Sequence, residues 1–326
     1  MSNYKIAIVN SSSFGKWFPK HIERLDSIGR VESFTFDNDI DGVTLAKELE
    51  GFNIIISSVT PFFTKEFFEH KDELLLISRH GIGYNNIDLD AAKEKKTIVT
   101  IVPPLVERDA VAENAVANLM AILRRTIDSS KAATDNRWVE RATFMGHNLT
   151  GKTVGVIGCG NIGSRVAEIL KHGFNTRLLV TDPNVDTQWA EKHGAEIVGL
   201  DELLTQADMI SLNASLNDTS YQILDKEAFS KMKRGVYITN TARGALIKEE
   251  DLLEAIDKGI VCAAATDVMV KEPASNTHPY YSNDRILVTP HTSAYTFECL
   301  EGMGEKCVTD VEQIIKGETP DSIVSR

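Results

Sequence analysis

Only four cysteines occur in 326 residues, at positions 159, 262, 299 and 307, and no C-x-x-C pair is among them. That scatter argues against a disulfide framework and against a zinc site of the usual ligand spacing, and it fits a reducing compartment. Positive charge is scarce too: 35 Lys and Arg stand against 47 Asp and Glu, a formal net charge of −12. Nucleic acid and anionic membrane surfaces both need basic patches, so neither is expected as a partner. No apolar run approaches the ~20 residues of a membrane span. The apolar patch in the opening MSNYKIAIVNSSS is too short for a signal-peptide core, and a cytoplasmic location is the resulting expectation. Tandem repeats and low-complexity tracts are absent, and the length is enough for two domains, each with its own core.

What is present is a rhythm. From Tyr4 apolar strands alternate with amphipathic helices: strands over Tyr4–Val9, Val31–Phe36, Phe52–Ser57, Leu74–Ser78 and Ile98–Val102, with helices between. Such βα alternation predicts parallel sheets. Within this first part Arg79–Asp88 (RHGIGYNNID) follows a strand and turns the amides of Ile82 and Gly83 towards a ligand, a small nest suited to a carboxylate, while Asp88 caps the next helix. After Pro103-Pro104, a candidate hinge, a long helical run is expected from Glu107 to about Asp128. Its alanines and valines lie on more than one side, which predicts burial against a second subunit and hence a homodimer.

The organising stretch is Thr153–Leu170, TVGVIGCGNIGSRVAEIL. A short β-branched strand runs into Gly158, Gly160 and Gly163, and Ile162, Val166, Ile169 and Leu170 then form one face of a helix. In G-x-G-x-x-G the first glycine makes the turn, the second lets a diphosphate approach, and the third lets helix and strand pack closely. A second strand, Arg177–Thr181, ends in Asp182, with eighteen residues between it and Gly163. A carboxylate there accepts from ribose hydroxyls and repels a 2′-phosphate, so NAD is favoured over NADP. Cys159 fills a variable position of this loop; a thiol near a helix start can be activated, but a space-filling role is the expectation.

Three further strand ends carry polar residues: Arg243 in NTARG, Asp267 and Glu272 in DVMVKEP, and His291 in TPHTSAYT. Together with RHGIGYNNIDLDAA, VAENAVANLMA and LTGKTVGVIGCGNIG, these segments resemble the D-isomer-specific 2-hydroxyacid dehydrogenase family over nearly the whole chain. The resemblance implies an α/β architecture of two doubly wound parallel-sheet domains. A Rossmann-type NAD domain would span residues 102–298, and a discontinuous flavodoxin-like substrate domain residues 1–101 with 299–326. It also implies Arg243, Glu272 and His291 as catalytic residues. Gly158, Gly160, Asn161, Ile162, Asp182, Ala214, Thr241, Ala242 and Asp267 would bind NAD, and Ile82, Gly83, Arg243, His291 and Tyr295 would bind substrate. No metal is implied.

The residue types suit reduction of a 2-keto acid to a D-2-hydroxy acid. Histidine titrates near neutral pH and can deliver the proton; Glu272 would orient its ring and stabilise the imidazolium. Arg243 offers a planar, permanently charged fork for the substrate carboxylate. Two departures matter. Asn213-Ala214-Ser215 stands where the family commonly has His-x-Pro, so only the backbone contacts of that loop are expected to carry over. Ala294 replaces an aromatic of lactate-type members, which predicts a roomier pocket and a branched or aromatic 2-keto acid in preference to pyruvate. The alternatives are a phosphoglycerate or a hydroxypyruvate/glyoxylate dehydrogenase within the family, and, outside catalysis, an NADH-sensing corepressor or scaffold.

Overall fold

The computed structural model describes residues 4–325. The chain divides into two compact units: residues up to Glu107 together with those from Tyr295 onward, and Arg108–Ala294 between them.

The first unit alternates β1 (Lys5–Val9), α1 (Pro19–Ile28), β2 (Arg30–Phe34), α2 (Gly42–Glu48), β3 (Ile54–Ser57), α3 (Lys65–His70), β4 (Leu76–Arg79), α4 (Leu89–Glu94) and β5 (Ile98–Thr100). Its sheet is wholly parallel in the order β2-β1-β3-β4-β5. The period-2 pattern of the strands assigns each face its own core. Ile6, Ile8, Ile54, Ile56 and Leu76 pack with Leu25 of α1 and with Val308 and Val311, whereas Ala7, Val9, Ile55, Ile77 and Val99 pack with Leu45, Phe67 and Ala92 on the other side.

The chain leaves this unit along α5 (Pro104–Leu123), which starts at the second proline of the pair. The continuous helix expected to Asp128 is interrupted, because Arg125 adopts a left-handed conformation (φ 50°) and a separate helix, α6 (Thr126–Thr134), follows. The side chain of Arg125 rewards that turn: it donates to Thr143 O at 3.0 Å and to Asp128 Oδ2 at 3.1 Å. The stretch between α5 and the glycine turn thus contains α6 and a short 3-10 helix over Trp138–Thr143.

The second unit continues with β6 (Thr153–Ile157), α7 (Asn161–Phe174), β7 (Arg177–Thr181), α8 (Thr187–His193), β8 (Ala195–Ile197), α9 (Leu200–Gln206), β9 (Met209–Leu212), α10 (Lys226–Lys231), β10 (Val236–Asn240), α11 (Glu249–Asp257), β11 (Val261–Thr266) and β12 (Ile286–Val288). Helix α8, whose N-cap Asp186 accepts from the Gln188 and Trp189 amides, was not legible as a separate element. The seven strands are parallel in the order β12-β11-β10-β9-β6-β7-β8. The order reverses between β6 and β9, so the carboxyl ends of those two strands flank the crevice where such sheets bind ligands. The last helix, α12 (Phe297–Ile315), returns to the first unit and packs on α1 and β4.

Candidate functional site

Because every strand of the second sheet runs the same way, the candidate residues that follow strand ends emerge along one edge. Gly158 follows β6, Asp182 β7, Ala214 β9, Thr241 to Arg243 β10, Asp267 β11 and His291 β12.

At the glycine turn the packing demand is measurable. A Cβ on Gly163 would lie 1.9 Å from Gly158 O, so only glycine lets α7 start this close to β6. At exposed Gly160 a Cβ would meet nothing within 4 Å, leaving open space at the helix start. No side chain caps α7, so the amides of its first turn, beginning with Asn161 and Ile162, remain available to an anion. Asp182 accepts from Cys159 N (2.8 Å) and Asn184 N (2.7 Å), one bond on each oxygen, and each oxygen keeps acceptor capacity for a hydroxyl. These features fit a dinucleotide: Gly158 to Ile162 would hold the diphosphate and Asp182 a ribose. Burial, with the charges of Asp182 and Glu168, pushes the Cys159 thiol up to about 12, in keeping with space filling.

The turn after β10 is pegged by Asn240, to which the sequence reading gave no role. Its Oδ1 accepts from Ala242 N (3.0 Å) and its Nδ2 donates to Arg243 O (2.9 Å), fixing Thr241 to Arg243. Gly244 then allows contact with the loop carrying Glu272, since a Cβ there would stand 2.1 Å from Met269 C.

Asp267 was expected to touch the cofactor. Its buried carboxylate accepts from Thr289 Oγ1 (2.5 Å) and Thr292 N (2.9 Å) on one oxygen, and from Ser293 N (2.8 Å) and Ser293 Oγ (2.5 Å) on the other. Those four donors hold the carboxylate in one orientation. Its backbone oxygen accepts from His291 N at 2.8 Å, so Asp267 acts as the anchor of the loop that presents His291. Only the DVMVKEP and HTSAYT segments read together could have shown this pairing.

His291 sits in the left-handed region (φ 53°), a conformation that costs a non-glycine residue and persists only where its surroundings enforce it. Its Nδ1 meets Glu272 Oε2 at 2.6 Å, while Glu272 Oε1 accepts from Met269 N at 2.8 Å. Burial opposes the charged form of Glu272. The hydrogen bond and charge of His291, the Met269 amide and the Arg243 charge outweigh it and hold the carboxyl below its ordinary value. With Nδ1 engaged, Nε2 is the ring atom left to exchange a proton. Arg243, half-buried at the next strand end, is near enough for its charge to act on Glu272.

The remaining substrate candidates lie in the first unit. Ile82 N donates to Glu107 Oε1 at 2.9 Å, so that amide already holds a carboxylate. Gly83 is half-buried and Tyr295 is exposed.

Among the described residues no helix is long and apolar enough to cross a membrane. Residues 116–293 match the family model described as the NAD binding domain of D-isomer specific 2-hydroxyacid dehydrogenases. D-3-phosphoglycerate dehydrogenase 2, chloroplastic, of Arabidopsis thaliana is 34% identical over 86% of this chain, which spans only 44% of that protein's length. A putative 2-hydroxyacid dehydrogenase of Staphylococcus epidermidis is 31% identical over 90% of this chain and 93% of its own. The apo-structure of D-lactate dehydrogenase from Escherichia coli superposes with a TM-score of 0.82 at 30% identity, covering 98% of this chain and 99% of that one. With its glycine turn, its acidic β7 end and its parallel-sheet architecture, this chain belongs to the D-isomer-specific 2-hydroxyacid dehydrogenase family and carries that family's NAD-binding domain.

Proposed function

We propose that the protein interconverts 2-keto acids and D-2-hydroxy acids, with His291 as acid and base. The observation that carries this reading is the 2.6 Å contact between His291 Nδ1 and Glu272 Oε2. A proton donor beside a developing alkoxide needs a ring held in place by one nitrogen with the other facing the reaction, and the Glu272 contact at Nδ1 supplies that. Arg243 binds the substrate carboxylate through its fork. Gly158, Gly160, Asn161, Ile162, Ala214, Thr241, Ala242 and Asp267 hold the dinucleotide, with Asp182 on its ribose. Bound NAD supplies the hydride acceptor or donor; the chain's own part is orientation and proton transfer.

Ala294 supports a branched or aromatic 2-keto acid over pyruvate. A panel of pyruvate, 2-ketoisocaproate, phenylpyruvate, glyoxylate and hydroxypyruvate, with chiral analysis of the product, tests this; a highest kcat/KM for pyruvate would refute the size argument. The 34% identity to a phosphoglycerate dehydrogenase favours 3-phosphoglycerate as the runner-up substrate, to be run in the oxidative direction. Loss of NADH absorbance that disappears in His291→Ala supports the enzyme, whereas tight NADH binding without turnover of any acid would favour a non-catalytic NADH sensor. The site calls for no metal. A cytoplasmic homodimer completes the proposal: Ile127, Trp138, Val139 and Met145, near and beyond the end of α5, are more than half exposed, and Val139 reaches 94%. Light scattering that finds only monomer would overturn the dimer.

A further inference from the structure

The acid–base chemistry makes no use of Glu107, yet its carboxylate occupies the loop nominated to receive the substrate's own. Ile82 N donates to Glu107 Oε1 at 2.9 Å, and the next amide, of Gly83, has no protein partner among the described residues. The loop is built to attract an anion. The guanidinium of Arg79, 3% exposed, lies beneath it, with Nη1 donating to His80 O at 2.9 Å and to Ser57 O at 3.3 Å. The same Nη1 stands 3.0 Å from where a Cβ on Gly81 would be, one residue from the Ile82 amide. His80 adds no charge at neutral pH, because burial, then the charges of Arg79 and His21, push its pKa down to about 3. The loop thus places a guanidinium beneath two successive amides, one held by Glu107 and the other without a protein partner among the described residues, the elements of an anion nest.

Glu107 reaches this nest from the first turn of α5, where the helix dipole also favours a negative charge. Its side chain is set among packed groups: the buried thiol of Cys299 on α12 is pushed up to about 12, first by burial and then by the Glu107 charge. A carboxylate placed on an amide that awaits a carboxylate is a competitor built into the chain.

We propose that Glu107 is a resident occupant of the Arg79–Gly83 nest, and that a 2-keto acid binds by displacing it from the Ile82 amide. This inference rests on the dehydrogenase reading above. Displacement sets the working KM above what the nest alone would give, because each binding event breaks the hydrogen bond from the Ile82 amide to the Glu107 carboxylate. Removing that competitor is worth about three- to tenfold in affinity.

The test uses wild type, Glu107→Gln and Glu107→Ala as full chains. Two quantities are read: the affinity of the NADH complex for oxamate, an inert 2-keto acid mimic, by NADH fluorescence, and KM and kcat for the best keto acid. The expected result is tighter oxamate binding and a lower KM in Glu107→Ala, with Glu107→Gln between it and wild type and the change carried by KM rather than kcat. A weaker or unchanged oxamate affinity in both variants would overturn the proposal, since Glu107 would then support the loop instead of competing for it. Absence of turnover in the wild type with every acid would count against the dehydrogenase reading, and the oxamate titration would still decide the role of Glu107.

Discussion

Gly160 and Gly163 stand three residues apart in one motif, but the structure assigns them separable jobs, and alanine at each should fail differently. At Gly163 the new Cβ would lie 1.9 Å from Gly158 O, against 3.4 Å for an ordinary contact, so the start of α7 must recede from β6 by about 1.5 Å. Overpacking of backbone against backbone costs about 1–3 kcal/mol. For a unit of this size each kcal/mol lowers Tm by about 2–4 °C. At Gly160 the backbone has φ −75° and ψ −154°, which alanine adopts, and no atom lies within 4 Å. Alanine is a poorer N-cap than glycine, but it also restricts the unfolded chain; the two effects oppose each other at about 0.5–1 kcal/mol each. Stability should therefore stay within about 0.5 kcal/mol of wild type. The added methyl enters the space a diphosphate must use, so NADH affinity should fall at least about tenfold, equivalent to 1.4 kcal/mol. Calorimetric Tm and NADH fluorescence titration on both variants make the comparison. If Gly160→Ala melts as early as Gly163→Ala, or binds NADH as wild type does, the division of labour is wrong.

Individual contacts single out three further variants. Glu272→Gln keeps an acceptor beside His291 Nδ1 but removes the charge, and kcat for keto-acid reduction should fall about 10- to 100-fold with NADH affinity retained, by stopped-flow and fluorescence titration. Because the Glu272 pKa is depressed in the fold, its stabilising contribution is lost as pH falls from 4.5 through its lowered value; the difference in unfolding free energy between wild type and Glu272→Gln should shrink over that window. Asp182→Ser should narrow the preference for NAD over NADP by at least about tenfold in Kd, since the charge that repels a 2′-phosphate is gone. Asp310 accepts from Ser78 Oγ (2.8 Å) and Thr100 Oγ1 (2.7 Å) and pairs with Lys306 where α12 meets the first sheet. Asp310→Ala should cost about 3–5 kcal/mol by urea unfolding, because it leaves the buried Ser78 and Thr100 hydroxyls without their acceptor and takes the carboxylate from a nearly buried ammonium that keeps Asp321 O.

The sequence by itself determined the parallel sheets, the glycine turn, the acidic end of β7 and the strand-end positions of Arg243, Glu272 and His291. Each is a local signal: apolar runs of strand length, glycines where a backbone must approach, and polar residues just past a strand. It also placed the strand Arg177–Thr181 to the residue. Tertiary structure alone decided the break at Arg125, because the reward for that left-handed residue comes from Thr143, eighteen positions away. It alone turned the Asp267 carboxylate onto Thr289, Thr292 and Ser293, and it alone seated Glu107 on the Ile82 amide across twenty-five residues. A sequence shows which groups can accept a hydrogen bond, but only the packed chain shows which donors have already arrived.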